Sequence, residues 1–189
     1  EGDRVRRDGT GQTVSLTDIA YKAQVFNTQA AQATATHSSP VSPPPYMVGM
    51  VEIELDKNTG LVTVLDYAAV VDCGIPINPA LARIQAEGGI VQGIGHTLTE
   101  EVRYDHRGRP IGSSFMQYKL PTRLDTGRLQ VEFERSYEPT GPFGAKSIGE
   151  IVINTPAPAI VHAIYRATGV WYRELPVTPE KIVMPPADL

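Results

Sequence analysis

The chain has 189 residues, 41% of them hydrophobic and 20% charged, which is enough apolar material to bury a core in one large domain or two small ones. A net charge of -4 with scattered Lys and Arg excludes the electrostatic footprint of a nucleic-acid binder, and no apolar run approaches the roughly 20 residues that cross a bilayer. The single cysteine, Cys73, excludes an internal disulfide and any multi-cysteine zinc or iron–sulfur site built by this chain alone. The polar opening EGDRVRRDG has no apolar segment behind it that could serve as a signal peptide, so the expectation is a cytoplasmic protein whose partners are small molecules or other proteins.

From Thr13 to about Thr34 the residues favour helix, with Leu16, Ile19, Ala20, Ala23 and Phe26 spaced to make one apolar face. The run HSSPVSPPPY, residues 37–46, cannot be helix, because each proline fixes its own φ and pushes its predecessor into extended backbone; it reads as a linker or extended arm. YMVGMVEIEL, the turn residues DKNTG and then LVTVLDYAAVVD predict a β-hairpin. Its second strand is apolar at most positions, as a strand is when it lies in the middle of a sheet with both faces covered.

Asn78 followed by Pro79 has the form of a helix N-cap with proline in the first turn. The apolar positions Ile90, Ile94, Leu98 and Val102 carry that helix through GGIVQGIGHTLTEEV. Strands are predicted at Ser114 to Leu120 and at Arg128 to Arg135, the latter with one wet face. After the loop PTGPFGAKSIGE, Thr155–Pro156 opens a helix that runs to Thr168 and stops at Gly169, and Thr178–Pro179 opens a short last one. The pattern is α+β, with helices packed on mainly antiparallel or mixed sheet, and 1–75 and 76–189 as a division into subdomains.

Two stretches carry more than punctuation. Gly88, Gly89, Gly93 and Gly95 each cost the helix roughly 0.5–1 kcal/mol relative to alanine. Either a neighbouring element packs on the bare backbone, or the helix opens there to a ligand. Gln92 stands among them with a donor and an acceptor. FGAKSIGE, residues 143–150, joins a strand to a helix and ends on Glu150, beside the apolar residues Ile148 and Ile151. Burial would raise that carboxyl's pKa and suit it to proton abstraction, whereas pairing with Lys146 would lower it. An ordinary surface glutamate, or one drawn to a helix start, fits the same residues.

His37, His96, His106 and His162 show no zinc spacing, and Cys73 after an apolar strand reads as a buried packing thiol.

VEIELDKNTGLVTVLD, VDCGIPINP, GGIVQGIGHTLTEE, SFMQYKLP, FGAKSIGE, TPAPAIVHAI and ELPVTPEK, in that order over residues 15–181, resemble the molybdenum hydroxylases, the family of xanthine dehydrogenase and aldehyde oxidoreductase. The resemblance implies that the chain is the C-terminal region of a molybdopterin-binding subunit, as a fragment or a split subunit. It implies that Glu150 is the base that deprotonates a metal-bound hydroxide, with water as the oxygen source and molybdenum as the two-electron acceptor. Gln92 and Gly93 then contact the molybdopterin, as such or as its cytosine dinucleotide, and the pterin dithiolene holds the metal. Partners implied are the remaining segment of the molybdopterin subunit and iron–sulfur and flavin (FAD) subunits or domains. The family's upstream glycine-rich segment and its substrate-gripping Arg and Glu have no counterpart in this sequence, so activity is not expected of the chain alone. The motifs read closest to purine hydroxylases; aldehyde or nicotinate oxidation, a scaffold subunit without cofactor, and a binding module built on the proline-rich arm are the competing expectations.

Overall fold

The computed structural model describes residues 2–26, 34–36 and 38–185, which fall into two compact units, Glu1–Ser38 and Ser39–Leu189. In the first, β1 (Arg4–Arg6) pairs antiparallel with β2 (Thr13–Ser15), and α1 (Leu16–Val25) follows directly. The helix starts at Leu16, the first residue of the apolar face, and not at Thr13, because Thr13–Ser15 is taken by the strand, and Ser15 Oγ then caps it by accepting from the Asp18 amide at 2.9 Å. The rest of that expected helix lies partly outside the described residues, as does His37.

The second unit begins with residues 39–45 in neither helix nor strand, in keeping with the prolines. The predicted hairpin follows as β3 (Tyr46–Leu55) and β4 (Val62–Asp72), turned by Asp56, whose Oδ1 accepts from the Asn58 amide at 2.9 Å. Asn78 caps α2 (Pro79–Leu98) by accepting from the Leu81 amide at 3.1 Å. A small hairpin of β5 (Arg103–Tyr104) and β6 (Pro110–Ile111) leads on to β7 (Arg128–Phe133), which pairs parallel with β4. The main sheet therefore has the order β3-β4-β7, with the expected strand at its centre and α2 inside the crossover that a parallel pair requires. α3 (Ile151–Asn154), α4 (Pro156–Thr168) and α5 (Pro179–Val183) complete the unit.

The core lies between one face of this sheet and the helices, where Val64, Tyr67, Ala69 and Val71 of β4 and Val131 of β7 meet Ile90 and Ile94 of α2 and Ile160 and Ile164 of α4. Tyr67 is fully buried, and its hydroxyl finds a partner in Thr155 Oγ1 at 2.9 Å, in a space that Gly49 leaves open.

Five expectations change. Contacts thin out at Ser38/Ser39 and not at 75, because β4 and α2 share one core. β4 is covered on one face only: Leu65 and Val70 are exposed, while α2 and α4 pack on the other side. α2 ends at Leu98, where the Thr99 and Glu100 amides both close on Gly95 O, so Val102 lies beyond it. Ser114 to Leu120 is a turn and not a strand, with Phe115 and Met116 80% and 85% exposed and the Tyr118 amide bonded back to Ser114 O. Thr155 does not cap α4; its hydroxyl serves Tyr67, and helix already precedes it in α3.

Candidate active site

The glycines of α2 sort themselves by what surrounds them. A side chain at Gly89 would collide with Val152 Cγ2; one at Gly93 would lie 2.7 Å from Pro156 Cγ and 3.1 Å from Ile153 O; one at Gly95 would strike Glu100 and Pro121. Gly89 and Gly93 let α2 approach α3 and α4 closely, and Gly95 makes room for Glu100 and Pro121, contacts that offset their propensity cost. Gly93 is thus buried in a helix–helix contact, and its bareness is accounted for without a ligand. Gly88 differs: nothing lies within 4 Å of the Cβ it lacks.

The loop that carries Glu150 is held against the sheet end. The Ile75 and Glu138 amides both donate to Gly144 O, at 2.8 and 3.1 Å, and the Lys146 amide donates to Cys73 O at 2.7 Å. Gly74, at φ 68°, must be glycine, since a Cβ there would run into Gly144 O and Lys146 N. Phe143 occupies the left-handed region at φ 53° with its ring exposed, which costs about 1–2 kcal/mol for a residue with a Cβ. Lys146 forms its ion pair with Asp72 and not with Glu150. The Asp72 carboxylate also accepts from Ser136 Oγ and from the Gly74 amide. Burial pushes the Asp72 carboxyl up, but the Lys146, Ser136 and Gly74 donors outweigh it and leave the group below the ordinary carboxylate value.

Glu150 occupies the N-cap position of α3 without a side-chain capping bond, and it is exposed, so the desolvation expected from Ile148 and Ile151 is absent in this chain. The residue before it is tied down: Gln85 Nε2 donates to Gly149 O at 2.7 Å. Gln85, Gly88, Gly89 and Gln92 recur at i, i+3, i+4 and i+7, one stripe of α2, and this stripe together with Gly149, Glu150 and Val152 lines a cleft of about 240 Å³. Glu150 and Gln92, 58 positions apart in the chain, therefore meet in one cleft, which offers an acid, two amides and a bare stretch of helix backbone.

Gln85 escaped the reading of the sequence, although its helical spacing from Gln92 was the signal available. Asp72 also escaped it, and a charge closing the apolar run Tyr67–Val71 of the central strand was the clue. Cys73 is a buried thiol whose pKa burial raises, the state of an inert packing residue. His162 stacks on Trp171 at 5.8 Å, and among the described residues no group of His, Cys, Asp and Glu could hold a metal ion.

Residues 1–127 match the family model of the molybdopterin cofactor-binding domain. The chain is 38% identical over 172 residues to the probable hypoxanthine oxidase XdhD of Escherichia coli (strain K12), covering 90% of this chain and 18% of that protein. It is 39% identical over 183 residues to the 6-hydroxypseudooxynicotine dehydrogenase complex subunit gamma of Paenarthrobacter nicotinovorans, covering 92% and 23%. Among solved structures, quinoline 2-oxidoreductase from Pseudomonas putida 86 superposes with a TM-score of 0.67 at 35% identity over 71% of this chain and 18% of that one. The Cu,Mo-CO dehydrogenase, at 24% identity, shares the fold with a TM-score of 0.79 over 97% of this chain and 24% of its own. The chain spans about a fifth of the length of these curated relatives. In the described residues no helix is long and apolar enough to cross a membrane. With the family model matched over two thirds of its length and a mixed α/β fold to agree, the chain belongs to the molybdopterin-binding domains of the xanthine dehydrogenase and aldehyde oxidoreductase family.

Proposed function

We propose that this chain is the C-terminal region of the molybdopterin-binding subunit of a molybdenum hydroxylase that oxidises a purine-type heterocycle, with Glu150 as its base. The observation that carries the reading is the meeting of Glu150 and Gln92 in one cleft. The donor set fits an organic cofactor: amides and bare backbone suit a pterin ring with alternating donors and acceptors, and the chain offers no cluster of metal ligands among its described residues, so the metal would arrive on the pterin. When bound, the molybdenum supplies the two-electron redox chemistry. Within that arrangement the Gln92 amide binds the pterin edge, and Gly93 contributes indirectly, by bringing α2 close enough to α3 for the cleft to form. Glu150 takes the proton from the water-derived oxygen nucleophile, which makes that oxygen reactive toward an electron-poor carbon. The carboxylate is open to solvent in this chain; in the whole subunit the remaining segment would cover it, and iron–sulfur and FAD domains or subunits would supply the path for the electrons.

The purine assignment rests on the motifs and on likeness to a relative named as a hypoxanthine oxidase. The aldehyde or nicotinate reading has support of its own, in 35% identity over 140 residues to the aldehyde oxidoreductase of Megalodesulfovibrio gigas and in the relative named as a 6-hydroxypseudooxynicotine dehydrogenase subunit. The test is to supply the assembled enzyme with hypoxanthine, nicotinate and an aromatic aldehyde. Fastest turnover of hypoxanthine is expected; a preference for the aldehyde overturns the purine reading. Glu150→Gln in the same enzyme keeps the shape and removes the base, and a turnover close to wild type would remove Glu150 from that role.

A further inference from the structure

Lys146 and Asp72 are not among the residues that line the cleft, yet they form a largely covered charge pair, with side chains only 8% and 23% exposed. A lysine stem so fully covered places its ammonium where the partner is and nowhere else, and an unpaired ammonium there would be costly to hold. The partners of Asp72 come from three stretches of chain: Lys146 on the Glu150 loop, Ser136 after β7, and Gly74 at the end of β4 itself. The Tyr46 ring of β3 lies under the ammonium, 5.2 Å from centroid to Nζ. All three strands of the main sheet are thus tied to one point of the loop, four residues before Glu150. The loop's other end is tied by Gln85 to Gly149, and Ile148 between them packs at the edge of the core. No span in 146–150 is long enough to move Glu150 freely while both ties hold.

We propose that the Asp72–Lys146 pair, with Ser136, is a positioning clamp that fixes where Glu150 stands at the cleft, a role that rests on Glu150 being the base. Asp72 and Lys146 act through the loop and are not catalytic residues. The experiment uses the assembled enzyme carrying Lys146→Met, Asp72→Asn, both together, or Lys146→Arg. Three readouts are taken: molybdenum and pterin content, amide hydrogen exchange, and the kcat and KM of whichever of the three substrates above the wild type oxidises fastest.

Lys146→Met and Asp72→Asn should each keep the cofactor and speed exchange at least about tenfold in residues 144–153, while Val62–Val71 stays protected. Turnover should fall about 10²-fold, the scale of a misplacement of order 1 Å, with KM moving less than about threefold. The double variant should be no worse than either single one, and Lys146→Arg should recover part of both effects. Exchange unchanged in 144–153 in both single variants overturns the clamp. So does faster exchange with kcat intact, because the loop position would then not matter to the chemistry. Failure of the base assignment looks different: Glu150→Gln remains active while the exchange response to Lys146→Met persists.

Discussion

The two walls of the cleft are held in place by opposite means. The α2 wall is placed by what is missing, since Gly89, Gly93 and Gly95 let a regular helix sink against Val152, Pro156 and Pro121. The Glu150 wall is placed by what is added to an irregular backbone: a half-buried ion pair, one hydrogen bond from the Gln85 amide, and Phe143 in a left-handed conformation. Packing is spread over many small contacts and degrades gradually, whereas a loop held by a few polar ties shifts when one of them is lost. The chemistry sits on the second kind of wall, and the first provides its fixed reference.

The largest break should come from the loop wall at its working end. Glu150→Gln is expected to lower kcat by about 10²–10⁴ or more, with molybdenum and pterin content unchanged, as steady-state kinetics beside metal analysis will show. Next in size is the clamp, and here pH gives an independent handle. The Asp72 carboxyl titrates below its unfolded value of 3.8, so its contribution is complete above that value and is lost as pH falls through the lower folded one. The groups that face it are Lys146, Tyr46, the neighbouring Cys73 thiol, which burial holds protonated, and Glu138, whose own carboxyl is lowered by its bonds to Thr140. Below about pH 4 the protection of residues 144–153 against exchange should fall in the wild type. In Asp72→Asn it should already be low at neutral pH and change little, and equal pH responses in the two proteins would take Asp72 out of the effect.

On the α2 wall the matching break is Gly89→Val, which forces a side chain into Val152. Overpacking of this kind costs about 1–3 kcal/mol, read as a lower midpoint in denaturant. Because the strain moves the whole helix contact, cofactor content and kcat should decline together, in contrast to the clamp variants, where kcat falls alone.

How far the sequence announced all this follows the same division. Regular elements with strong patterns came through: the β3–β4 hairpin, the Asn78–Pro79 helix start, and the alternation that makes β7 wet on one side. Most of the failures come from contacts between residues distant in sequence, and the misplaced helix end from a local closure. Ser114 to Leu120 is rich in residues that strands favour, but among the described residues it pairs with no strand, and Tyr118 donates instead to Glu100 at 2.6 Å. Val102 keeps the helical spacing but lies past the point where two amides close on Gly95 O. Lys146 and Glu150 are spaced to meet, and only the fold reveals that Asp72, 74 positions earlier, has taken the lysine. The glycines of α2 could be recognised as costly in the sequence, yet which of them face protein and which face open space depends on α3, α4 and the chain around Glu100 and Pro121.

That last distinction gives the smallest and most selective test. For folding alone, Gly88→Ala adds a methyl where nothing lies within 4 Å and removes an unfavourable glycine from a helix interior. The chain should therefore gain about 0.5–1 kcal/mol, seen as a slightly higher denaturation midpoint. If the pterin lies along the Gln85–Gln92 stripe, the same methyl projects into its space, and molybdopterin content should drop although the protein is more stable. Stability and cofactor loading would then move in opposite directions, which no packing defect can produce. A variant that gains stability and loads fully would show that the cofactor does not touch α2 at residue 88, and the Gln92 contact would have to be sought toward the loop wall instead.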